Sequence, residues 1–93
     1  MKDFMGNFQS VRNFEGRNGP VRNQFLIFTD KGTIFQSYSS IIAVYIGGKV
    51  YLDENYWDYS VTTGKYRNIF LGEDKKETER KIKEKKYILT NLN

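Results

Sequence analysis

The sequence predicts an α+β fold: a small antiparallel β-meander of three to four strands, with one or two helices on one face. Three observations predict it. Residues 21–53 are rich in β-branched and aromatic side chains and are punctuated by Asp-Lys-Gly and Gly-Gly. Residues 60–71 change to a helical spacing bounded by Ser60 and Gly72. Residues 75–86, KKETERKIKEKK, form a charged block that suits only a second, solvated helix.

The chain has 93 residues, which predicts one domain over residues 1–93. Aromatics make up 16% of it, so Phe and Tyr should dominate the core. In the N-terminal arm, residues 1–20, Phe4, Met5, Phe8 and Val11 fall at helical spacing. A short amphipathic helix over 1–12 and a frayed terminus with aromatic anchors both fit. NFEGRNGP (13–20) reads as a loop. In the meander, residues 21–53, VRNQFLIF places Val21, Asn23, Phe25 and Ile27 on one face and Gln24, Leu26 and Phe28 on the other. Asp30, Lys31 and Gly32 then form a tight turn, with Gly32 free to take a positive φ. The fourteen residues TIFQSYSSIIAVYI are long for one strand, so a bulge or bend is expected at Ser39–Ser40. Gly47–Gly48 makes a second hairpin turn before KVYLDE.

In the helix over 60–71, Tyr66, Ile69 and Phe70 share a face, with Thr62 or Thr63 one turn earlier. Gly64 inside it costs about 1 kcal/mol relative to Ala. Either close packing on the sheet or a helix start nearer Lys65 would account for it. Asp74 caps a basic helix over 75–86, and residues 87–92 read as a tail or an edge strand.

Composition narrows the chemistry. There is no Cys and no His, so disulfides, thiolate nucleophiles, the usual zinc ligands and every His-dependent triad are excluded. No apolar run spans a bilayer, and Met1–Ser10 has no apolar signal core; a cytoplasmic location is expected. The chain is expected to be no enzyme and to carry no cofactor, and no catalytic, cofactor-binding or metal-ligating residue is assigned.

Five stretches carry candidate functional signals. TTGKY (62–66) has a Gly-Lys pair at a helix start, but Tyr59 and Tyr66 stand where a P-loop needs Gly and Ser or Thr. KGTIFQSY (31–38) matches an RNA-recognition strand at Lys31, Gly32, Phe35 and Tyr38, with Thr33 in place of a stacking aromatic. Asp53, Glu54 and Asp58 lack any metal-loop spacing. NYWDY (55–59) crowds Tyr56, Trp57 and Tyr59 at a strand-to-helix junction, where at least one must be exposed. The block 75–86 holds seven Lys or Arg and three Glu, which is the whole net charge of +4. Its plainer reading is a solvated face with i,i+4 pairs.

FQSYSSIIAVY (35–45) and WDYSVTTGKYRNIFLG (57–72), followed by a Lys/Glu helix, resemble a family of small uncharacterised domains encoded by phages and mobile elements of Gram-positive bacteria. Phe35, Gln36, Ser37, Tyr38, Tyr59, Ser60, Thr62, Thr63, Lys65, Tyr66, Phe70 and Leu71 carry the resemblance. It implies a non-enzymatic binding protein that engages a host protein or protein–RNA complex, in the sharpest form as an inhibitor of a CRISPR effector or another defence nuclease. The expected surface joins Tyr56, Trp57 and Tyr59 to Lys65, Arg67, Lys75, Lys76, Arg80 and Lys83. The alternative is a small basic nucleic-acid-binding accessory or regulatory protein that uses the same helix on phosphates. Exposed strand edges in so small a sheet also allow a homodimer.

Overall fold

The computed structural model describes residues 2–93 and has the predicted α+β class, with a larger, mixed sheet. Six strands lie in the order β1-β2-β3-β4-β5-β6: β1 Phe8–Gly16, β2 Gly19–Thr29, β3 Gly32–Ser37, β4 Ser40–Ile46, β5 Lys49–Asp53 and β6 Tyr87–Thr90. β1 to β5 form an antiparallel meander. Two helices, α1 Val61–Leu71 and α2 Lys75–Lys83, make the crossover that lets β6 run parallel to β5. The stretch read as a tail or edge strand is therefore an edge strand.

Of the two arrangements that fit residues 1–12, the helix does not form. That segment begins at Met1, which lies outside the described residues. Asp3–Met5 form one 3₁₀ turn, and Phe8 and Val11 sit in β1. Their helical spacing is coincidental, because Met5 is the only one of the four apolar residues that is buried. The expected loop over 13–20 is the end of a hairpin. Gly16 pairs Gly19, leaving Arg17 and Asn18 as the turn. Its Gly, Asn and Pro content reads as a loop because this hairpin end buries little besides Phe14.

The alternation assigned to β2 also breaks. Ile27 packs with Met5, Ile34 and Leu92, whereas Val21 packs on the opposite face with Phe14 and Phe35. Asn23, at φ 62°, lies between them, where the strand's pleat and register are interrupted. The irregularity expected at Ser39–Ser40 resolves into two features. Tyr38, at φ 55°, and Ser39 form a hairpin turn, and Ile42 is the extra residue of a bulge. Gly47 and Gly48 both take positive φ in the next turn. Gly32 does not, and its role is different: a Cβ there would lie 2.0 Å from the Tyr45 carbonyl oxygen.

The sheet buries apolar side chains on both faces. Ile27, Ile34 and Val44 are covered by Met5 and Leu92 from the two ends of the chain. Phe14, Phe35, Ala43, Val50 and Leu52 lie under Tyr66, Phe70, Leu71 and Ile82 of the helices. Ser60 Oγ accepts the Thr63 N–H at 3.1 Å, and Gly72 closes α1 at φ 69°. Asp74 Oδ1 accepts the Glu77 N–H and starts α2. α2 stops at Lys83, short of the expected 86, because Lys85 turns left-handed at φ 61°.

Candidate functional site

Nine residues were predicted to form one partner surface, and the structure separates them by role. Arg67 is expected on that surface, exposed on α1. It is instead 1% exposed. The inward stripe of α1 is Thr63, Tyr66, Arg67, Phe70 and Leu71, and Ile69, expected inside, is 57% exposed. The Arg67 side chain lies beside Gly64 and stacks on the Trp57 ring, 5.2 Å from its centroid. Nη1 donates to the Trp57 carbonyl at 2.8 Å and to Asp58 Oδ1 at 3.1 Å, and Nη2 donates to Asn68 Oδ1 at 3.0 Å. Lys75 closes the other side of Asp58 with an ion pair at 2.6 Å. Burial pushes the Asp58 carboxyl up, but hydrogen bonds from Lys75 and Arg67 outweigh it, and the net shift is downward.

Arg67, Trp57, Asp58 and Lys75 thus clasp α1, the turn before it and α2 together. Tyr56 and Trp57 are half-buried against the core, and Tyr59 alone of the three aromatics is exposed. Lys65 is exposed over the Tyr66 ring and borders the same hollow as Arg67 and Lys75. On α2, Arg80 is held between Glu77 and Glu84. Lys81, on the same helix, pairs with Glu73 at 2.7 Å. Lys76 and Lys83 are exposed and have no ion-pair partner among the described residues. Four of the seven cations of the basic block are therefore engaged, Arg80 and Lys86 by glutamates of the block and Lys75 and Lys81 by Asp58 and Glu73 outside it, and its net charge stays positive.

The weaker candidates resolve into structure. Phe35 is 0% exposed beneath Phe14 and Phe70 and cannot stack a base. Asp53 is 0% exposed; its Oδ2 accepts the Asn55 and Tyr56 N–H groups, and its Oδ1 accepts the Leu92 N–H and the Asn93 side-chain amide. Among the described residues no three of Asp, Glu, His or Cys are placed to hold a metal ion. No helix among them is long and apolar enough to cross a membrane.

An apolar concavity lies elsewhere. α1 has eleven residues, about 16 Å at helical rise, and it does not cover the whole face of six strands. Beside its C-terminal half a groove of about 690 Å3 remains, floored by Leu26, Phe28 and Val50 and walled by Ile69, Phe70 and Tyr45. Tyr45 is 50% exposed, and Arg12 lies over the Phe28 ring at 5.6 Å. None of these residues belongs to the surface expected from the sequence. The signal was present: Leu26 and Phe28 make the second face of β2 apolar, and the helices are too short to cover it.

The family model described as a family of unknown function (DUF8033) matches residues 8–87, so the chain belongs to that family. No curated protein and no solved structure matches the chain.

Proposed function

We propose that this member of DUF8033 is a binding protein whose partner docks in the groove between the sheet and α1. One observation carries the reading: an open trough with an aromatic and aliphatic lining runs beside a covered core. Folded chains bury such surface or use it. Tyr45, Phe28 and Arg12 supply the residue types that dominate interface energetics. The resemblance of residues 35–45 and 57–72 to phage and mobile-element domains extends the proposal to a host protein or ribonucleoprotein as partner, a defence nuclease among them.

Direct phosphate binding by α2 has less support, because Lys75, Arg80 and Lys81 are engaged by Asp58, Glu77, Glu84 and Glu73. Capture from a Gram-positive host lysate separates the two. Tagged wild type is compared with Ile69→Asp, in the groove wall, and with Lys76→Glu/Lys83→Glu on α2; all three positions are exposed. A partner lost with Ile69→Asp and kept by the α2 variant supports the groove. The opposite pattern overturns it in favour of the basic helix.

A further inference from the structure

The groove opens directly onto a sheet edge. Arg12, Asn13, Phe14 and Glu15 of β1 form its outer border, and β1 pairs on one side only, with β2. β1 is nine residues long, and its first five, Phe8 to Arg12, are all exposed. Edge strands of this length are ordinarily blunted by proline, lysine or a covering element. β1 has neither residue; its two register irregularities, between Phe8 and Ser10 and between Asn13 and Glu15, bracket a regular stretch from Ser10 to Asn13, and it presents Phe8 and Val11 at 58% and 52% exposure. The opposite edge, β6, has four residues and lies against α2.

Charge selects the occupant. The exposed ionisable residues of the β1–β2 hairpin, Arg12, Glu15, Arg17 and Arg22, carry a surplus of two positive charges. All six ion pairs of the described residues lie elsewhere. A second copy of this chain would set one cationic hairpin against another. An acidic strand would neutralise the surplus while its backbone satisfies the free edge and alternate side chains enter the trough. A nucleic acid could answer the charge, but it has no strand backbone to pair with the edge and no aliphatic side chains for Leu26 and Phe28.

Building on the groove reading above, we propose that β1 receives an acidic, extended segment of another protein as a seventh strand, with its apolar side chains seated between the sheet and α1.

The test uses the full chain labelled with 15N and four probes. These are a nine-residue peptide alternating Val with Glu, its Val/Lys counterpart, the Val/Glu peptide N-methylated at alternate residues along one edge, and a twelve-nucleotide oligothymidylate. The Val/Glu peptide is expected to shift the amides of residues 8–16, and the N-methylated form is expected to lose this effect. Arg12→Glu/Arg17→Glu should weaken Val/Glu binding about tenfold and bring in the Val/Lys peptide. Amides outside the hairpin keep their positions if the variant is folded. Arg22→Glu, beyond the edge strand, repeats the charge test with a smaller loss of the same sign.

Shifts confined to Leu26, Phe28 and Ile69, with the β1 amides unmoved, would overturn strand addition and leave the groove reading standing. Absence of any β1 shift at millimolar peptide overturns it too. So do equal responses to Val/Glu and Val/Lys, β1 shifts that grow with protein concentration alone, or a response to oligothymidylate that matches the acidic peptide.

Discussion

At the scale of single residues, Arg67 changes the meaning of its neighbourhood. A guanidinium at 1% exposure is held by hydrogen bonds from its two Nη groups to the Trp57 carbonyl, Asp58 and Asn68, while its buried Nε has no partner. Arg67→Ala would remove the fork and leave a carbonyl and a carboxylate short of a partner. We expect a loss of about 2–3 kcal/mol in urea unfolding, with Arg67→Lys intermediate because a single ammonium cannot span three acceptors. Normal stability with lost partner capture would instead return Arg67 to the binding surface. Gly32 makes a second residue-level case. A methyl group there meets the Tyr45 carbonyl at 2.0 Å, so Gly32→Ala must part β3 from β4. An expected cost of about 2 kcal/mol or more would appear as a lower urea midpoint. The sequence marked both residues and misread why they matter. A charge in the helix was read as solvent-facing, because its counter-groups come from the turn before the helix and from Asn68. A glycine after Asp-Lys was read as a turn residue, because the carbonyl that excludes a side chain arrives thirteen residues later.

At the scale of elements, the parts whose signals are local were legible. Ser60 and Gly72 bound α1, Asp74 begins α2, and Gly47–Gly48 turns the β4–β5 hairpin, each through a cap or a positive φ encoded by its own residue. The parts that depend on partners distant in sequence were not. β1 buries little, so its strand pattern is faint, and β6 exists only because a crossover delivers it to β5. The groove is half legible: the apolar second face of β2 shows in the sequence, but the opening itself is the difference between the width of the sheet and the length of a helix. Gly64 tests how far local logic holds. The helix starts at Val61, and a Cβ at Gly64 would meet nothing closer than the Arg67 guanidinium at 3.6 Å, an ordinary contact. Neither expected reason for a glycine is present. Gly64→Ala should therefore stabilise the protein by about 0.5–1 kcal/mol, read as a higher urea midpoint at unchanged slope. A loss of stability would mean that the Arg67 side chain needs the space.

At the scale of the whole molecule, charged clusters hold the helical crossover together and tie it to β6, while β2, β3 and β4 rest on apolar packing, and pH should divide the two. The Glu73 side chain is 6% exposed and accepts from Lys81 at 2.7 Å, Tyr87 at 2.8 Å and Thr78 at 2.6 Å, linking α2 to the start of β6. Burial raises its pKa, but the bonds from Lys81, Thr78 and Tyr87 outweigh this, and it lies below the ordinary 4.5. Asp58, in the Arg67 clasp, is likewise held below 3.8. For a depressed carboxyl, the stabilisation is complete above the unfolded-state pKa and disappears as pH falls through the folded one. Tyr87 moves the other way: burial first, then Glu73, raises it above 10.0, so its contribution is complete below that value and fades as pH rises past the folded pKa. Stability should thus be level from about pH 5 to 10 and fall on both sides. The acid limb should be local at first, because Phe35, Ile34 and Val44 lose no ionic partner on protonation. Hydrogen exchange between pH 5 and pH 3, corrected for intrinsic rates, should show α2 and β6 opening before β2, β3 and β4. Glu73→Gln should lower stability at pH 7 and flatten that acid limb, since the titrating group is gone while a hydrogen-bond acceptor remains. Simultaneous opening of all six strands, or an unchanged limb in Glu73→Gln, would show that the crossover is not the acid-labile part of this fold.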